Sequence, residues 1–214
     1  MKSKFIWLSL AILFVFNACR YKGPEDLPKY KKRFKAQIEG FEKQKNQTDE
    51  KVEESVSRLS TIQEALESAK NVDKEFKQVY SDWDKVNKEV EDLNKEYENL
   101  KSDAENLFTA MKKQTEGLRD AKTRQELTTA ITKTQSEYEI TLGKTERAIN
   151  SLRTLHEEAL DIVKALEVAI ALGQIAQINT GLENIESRVS VIMSELNNTI
   201  VESKDLYNKR IQAF

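Results

Sequence analysis

The chain has 214 residues, with 34 lysines and arginines against 36 aspartates and glutamates, and one histidine, for a formal net charge of −2. Charged residues make up 33% of it and aromatics only 7%, with two prolines and six glycines. That balance excludes a sandwich or barrel, which needs many more turn residues, and favours long helices.

The first element is a targeting segment. Lys2 and Lys4 precede an apolar run from Phe5 to Phe16, and Asn17-Ala18-Cys19 follows. A basic start, an apolar core of this length and a small residue at the cut site describe a secretory signal peptide over residues 1–18. Cys19, the single cysteine, then stands at the first mature position, which describes a lipoprotein: its thiol takes a diacylglycerol as a thioether, and its freed amine takes an acyl chain. An ordinary signal peptide and an uncleaved anchor are the other readings. The run is short for a membrane span, which needs about 20 residues. With Cys19 lipidated no disulfide can form, so packing alone must hold the fold.

Residues 19–27 read as a tether. Between Arg20 and Lys35 lie seven bases (Arg20, Lys22, Lys29, Lys31, Lys32, Arg33 and Lys35) and two acids, Glu25 and Asp26. Beside a lipid anchor these bases are placed for contact with anionic head groups, at about 1 kcal/mol each near the surface. A solvated helix start is the plainer reading. Both prolines fall in this region, and Pro28 suits a first helical position because its missing N–H costs nothing there.

From Pro28 on, apolar residues recur at alternating steps of three and four, which predicts coiled-coil-like helices over about 28–70, 73–116, 123–172 and 174–213. The first seam is Phe34, Ile38, Phe41, Thr48, Val52, Leu59, Ile62, Leu66 and Ala69, with Lys45 and Ser55 filling two positions. The second runs without a break in register from Phe76 through Trp83, Leu93 and Leu107 to Met111, Gln114 and Leu118. The third runs from Leu127 to Ala169, with a second stripe (Leu142, Ile149, Val163, Ile170) that widens its buried face. The fourth runs from Ile175 through Ile185 and Leu196 to Ile211. Asn71 with Asp73 offers one helix stop and restart. Thr123-Arg124-Gln125-Glu126 reads as a capping box opening the third helix, and Gly173 as the residue closing it. Short connections make successive helices antiparallel neighbours, so the fold expected is all-α: one elongated, antiparallel, up-down-up-down four-helix bundle over residues 28–214.

No constellation for catalysis stands out. His156 is the sole histidine, which excludes a multi-histidine metal site, and His156-Glu157 does not continue as a zinc-protease motif because position 160 is Leu160. His156 falls on the second stripe of the third helix, where a packed or edge histidine is the better reading. No enzyme activity, cofactor, metal, nucleic-acid partner or small-molecule substrate is expected. The charge-free stretch Val168–Ala176, at the hairpin tip between the third and fourth helices, could touch a membrane or a partner through Ile170, Leu172 and Ile175. Burial against another helix end is the commoner fate of such a tip.

The Leu107-Phe108 helix, Tyr138-Glu139, the Arg147-Ala148 helix leading to Ala159-Leu160-Asp161, and the restart over Ile175–Ile185 resemble a family of Gram-negative lipoproteins. That family is catalogued as domain of unknown function twenty-nine fifty-nine, and the likeness runs from about Lys51 to Ile211. It implies an exported helical-bundle lipoprotein and carries no catalytic residue across. The expected role is an envelope lipoprotein serving as scaffold, spacer or partner-binding surface, through a protein partner or self-association. Arg20 after Cys19, in place of the aspartate that favours inner-membrane retention in enteric bacteria, favours the outer membrane, facing the periplasm. The alternatives are a membrane-active, pore-forming-like bundle using the apolar tip, or a coiled-coil adaptor of an envelope complex.

Overall fold

The structure, a computed structural model, describes residues 27–67, 72–171 and 179–212. Among them the chain forms four α-helices, α1 (Leu27–Glu67), α2 (Val72–Glu116), α3 (Ala121–Ala171) and α4 (Asn179–Leu206), with a π-helical turn over Tyr207–Ile211 and no strand. At 1.5 Å per residue, the 41, 45 and 51 residues of the first three make helices about 62, 68 and 77 Å long. Helices of that length need a partner along their whole extent, and cross-pairs show where each partner lies.

Along α1 and α2, Arg33 meets Asp103, Gln44 meets Glu89 and Arg58 meets Asp82, one number rising as the other falls. Thr115 with Thr128, Phe108 with Tyr138 and Tyr80 with Glu167 run α3 against α2. The pairs Glu137–Arg210, Thr141–Glu202 and Glu158–Arg188 run α4 against α3. Glu42 with Lys204 and Phe34 with Tyr207 close the ring, with α4 antiparallel to α1. The fold is therefore the up-down-up-down bundle that the heptads predict.

Every predicted α1 seam position from Phe34 to Leu59 is buried, polar fillers included, as is every α2 seam position from Phe76 to Met111. Each large apolar side chain withdrawn from water contributes roughly 1.5–3 kcal/mol. The hydroxyl fillers are tolerated because their donors have acceptors on their own helix: Thr48 donates to the Gln44 carbonyl, Thr145 to that of Thr141 and Ser203 to that of Thr199. Lys45, at 7% exposure, sends its ammonium to Asp49 one turn on, at 2.8 Å.

Four details depart from expectation. α1 opens at Leu27, which is buried and belongs to the helix rather than to the tether. Asp73 is inside α2, which opens at Val72, so it is not the cap. α3 opens at Ala121 rather than Thr123: the Asp120 carboxylate accepts the Thr123 backbone N–H at 2.7 Å, taking the capping role from Thr123. Finally, α4 widens after Leu206, with the Gln212 N–H reaching the Tyr207 carbonyl at 2.8 Å. The five-residue step from Leu206 to Ile211 explains the widening, since a π turn brings both to the core while Arg210 still reaches Glu137. Gly173 and Asn71 lie outside the described residues.

Candidate functional site

The basic start of α1 was the clearest site candidate within the described residues. Lys29, Lys32, Arg33 and Lys35 are exposed and Lys31 is half-buried. The reason lies in the seam: Leu27, Phe34 and Ile38 turn inward, leaving the positions between them to solvent. Arg33 is not wholly available for an external anion, because its guanidinium meets the buried Asp103 carboxylate on α2 at 2.8 Å. Cys19, Arg20 and Lys22 lie outside the described residues, as do Leu172 and Ile175 of the apolar tip and the side chain of Ile170.

The fold brings other bases to the same end. Phe34 packs edge-on against Tyr138 of α3, centroids 5.5 Å apart, and its other neighbour is Tyr207 at 6.4 Å. Tyr138 also meets Phe108 of α2 at 6.3 Å, so one aromatic node ties all four helices together near the start of α1. Beyond it, the corner between α2 and α3 is tight. The Leu118 N–H donates to the Thr115 carbonyl at 3.1 Å, and the Arg124 guanidinium to the Leu118 carbonyl at 3.1 Å. Two Thr123 hydrogen bonds, from its side chain and then its backbone, hold the Asp120 carboxyl below its ordinary range. Lys112, Lys113, Arg119, Lys122 and Arg124 surround this corner, and Lys133, Lys209 and Arg210 follow just below it. Sequence reasoning grouped only the contiguous bases; these others are far apart in the chain, and only the antiparallel register unites them.

Two of the grooves along the rod bear on a site. One, of about 680 Å³, lies between α1 and α4, floored by Val56, Val189 and Met193 and flanked by Lys45, Asp49 and Glu186. The second, about 330 Å³, lies between α2 and α3, where Tyr97, Phe108 and Tyr138 sit beneath Glu105, Glu139 and Glu146. Burial, reinforced by those glutamates' neighbour Glu98 and by Glu146 and Glu105, pushes the Tyr97 hydroxyl up to about 12. Its phenol stays protonated, an unactivated group. His156 is half-buried with its ring 6.1 Å from the Trp83 ring. The Trp83 indole N–H and His156 Nε2 both lack a protein partner. This is the packed edge histidine that its stripe position predicts.

Sequence reasoning missed Asp82 and Asp103, both buried. Burial pushes Asp82 up, but hydrogen bonds from Lys85 and Gln78 and the charges of Lys85 and Arg58 outweigh it and hold the carboxyl below its ordinary range. Each aspartate adjoins a seam residue, Trp83 or Ala104, and that adjacency was the only available signal. Among the described residues no group of three potential ligands could hold a metal ion, and no helix is long and apolar enough to cross a membrane.

Among the described residues, fold and surface together define an all-helical rod with bases gathered at one end. A family model described as Protein of unknown function (DUF2959) matches residues 21–209, and the chain belongs to that family. The match begins well before Lys51, so the basic start of α1 is part of the family's domain, contrary to the narrower likeness read from the sequence. No curated protein and no solved structure matched the chain.

Proposed function

We propose that the protein is a non-enzymatic cell-envelope lipoprotein: a helical bundle held at a bilayer by lipid on Cys19, serving as scaffold, spacer or partner-binding surface. One observation carries the reading. Cys19 stands three residues after an apolar run of signal-peptide length, and eight positions before a rod whose α1 and α2 seams are filled from Phe34 to Leu59 and from Phe76 to Met111. The rod's long faces are polar and its interior is packed, which suits holding a distance or presenting a surface better than enclosing a substrate. Arg20 favours the outer membrane, with the bundle in the periplasm.

Membrane fractionation of the Cys19→Ala chain tests this, with mass spectrometry of the wild-type N-terminus. The wild type should pellet with membranes and carry acyl chains on Cys19. A bare Cys19, or a variant extracted from membranes only under the same conditions as the wild type, sinks the anchor.

A further inference from the structure

Where Arg33 stands opposite Asp103, α2 still has thirteen residues to run while α1 has six behind it, so the α2–α3 corner projects about 10 Å past Leu27. The start of α3 is open to solvent accordingly: from Ala121 to Ala130 only Arg124 and Leu127 are even half-buried, and Ile131 is its first buried residue. Cutting the rod at the level of Lys35, the near end comprises residues 27–35, 101–142 and 206–212. It carries fourteen lysines and arginines against seven aspartates and glutamates. The described residues of the rest, 36–67, 72–100, 143–171 and 179–205, carry fifteen against twenty-seven. An excess of seven positive charges thus caps a body with an excess of twelve negative ones. Several of the near-end bases are spent within the protein: Arg33 on Asp103, Arg210 on Glu137 and Lys209 on Asp205. Asp103 and Glu137 are already in that balance; Asp205, and Glu39 beside Lys35, lie just outside it, and counting them still leaves a surplus of five.

We propose that this end is a lipid-docking surface, with Lys112, Arg119, Lys122 and Arg124 of the α2–α3 corner, and Lys133 just below it, contacting the phosphates of an anionic bilayer. The inference rests on the anchor reading for its choice of partner. Seven residues separate Cys19 from Leu27, eight backbone steps with a reach of at most about 27 Å, so the near end is the one held close to the bilayer surface. Attraction at that end acts within a Debye length of about 8–10 Å, while the acidic flanks are repelled by the same surface. The two effects together stand the rod upright. Leu118 and Leu127, both half-exposed at the corner, add apolar area where it would meet the interface.

The test uses the full chain as isolated from cells in mild detergent, reconstituted into vesicles of phosphatidylethanolamine with phosphatidylglycerol, or of phosphatidylcholine alone. A fluorophore is placed by Thr129→Cys near the corner or Ser187→Cys far from it, and energy transfer to a lipid-borne acceptor is read. Any bare Cys19 is labelled in both and cancels in the difference. The corner probe should transfer strongly in anionic vesicles and give less of that signal, as the tether lets the corner lift away, in neutral ones, in high salt and in the Arg119→Glu/Lys122→Glu/Lys133→Glu variant. The glutamine version should lose part of it, with helicity checked by circular dichroism for each. Equal transfer in both vesicle types, or no change in the variants, overturns the proposal. So does corner-dependent binding of polyglutamate without a response to anionic lipid, which would make this a docking face for an acidic protein. A chain that leaves neutral vesicles altogether overturns the anchor instead, and the anionic vesicles still report the corner.

Discussion

Tyr138 offers the sharpest test of how the bundle is held together. It is 2% exposed, and its ring contacts Phe34 and Phe108 while its hydroxyl lies 3.3 Å from Ser203 Oγ. Ser203 has one proton, and the Thr199 carbonyl at 2.8 Å is the better acceptor for it. The phenol must therefore donate to Ser203 Oγ, which keeps its own bond if the phenol is removed. Tyr138→Phe strands no buried donor and should lower stability by only about 0.5–1.5 kcal/mol, the net worth of one hydrogen bond. Tyr138→Ala removes the ring from a node shared by four helices, and should lower it by about 3–5 kcal/mol. Urea unfolding followed by circular dichroism measures both. A phenylalanine variant losing more than about 2 kcal/mol would show that the hydroxyl anchors a wider network. An alanine variant losing less than about 2 would show that the node is not a centre of packing.

Lys45→Met should be neutral or up to about 2 kcal/mol stabilising, because Asp49 retains 27% side-chain exposure and stays solvated once its partner is gone; a clear loss of stability in urea would refute this. Asp120→Ala should cost about 0.5–2 kcal/mol and raise amide exchange in the first turn of α3, where Thr123 loses its acceptor; unchanged exchange there would refute the cap. Asp82 and Glu202 titrate below their ordinary values, Glu202 because bonds from Thr141 and Lys144 outweigh its burial. Their stabilisation is complete above the unfolded values near 4 and is lost as pH falls through the folded ones, so Asp82→Asn should flatten the acid limb of stability against pH. Burial raises Tyr138, whose contribution is complete below its unfolded value of about 10 and is lost above it. The alkaline limb should therefore be shallower in Tyr138→Phe than in the wild type.

The seams were legible because burial in a bundle follows a period the eye can count. Phe34, Trp83, Leu152 and Leu196 fall where steps of three and four put them, and all are at most 1% exposed. Chain order gave the antiparallel topology, since short connections leave few other choices. What the sequence hid is cross-chain register. Nothing local says that Arg33 will meet Asp103, or that Lys112 and Lys209 will share an end, because those relations depend on how far one helix slides along another. The α3 start was misplaced for a local reason: two residues able to cap, Asp120 and Thr123, lie three apart, and the earlier one wins because its carboxylate is the stronger acceptor.

The closing of the ring by Phe34 and Tyr207 puts the beginning of α1 and the finish of α4 side by side. Tension between a membrane tie and a load gripping the C-terminal residues would peel these two helices apart turn by turn, from Leu27 toward Glu67, instead of straining every contact at once. Such a rod yields easily to a pull on its two termini. Loaded along its length from the opposite end, with α1 sheared against its neighbours, it resists over about 48 Å of interlocked side chains, from Leu27 to Leu59.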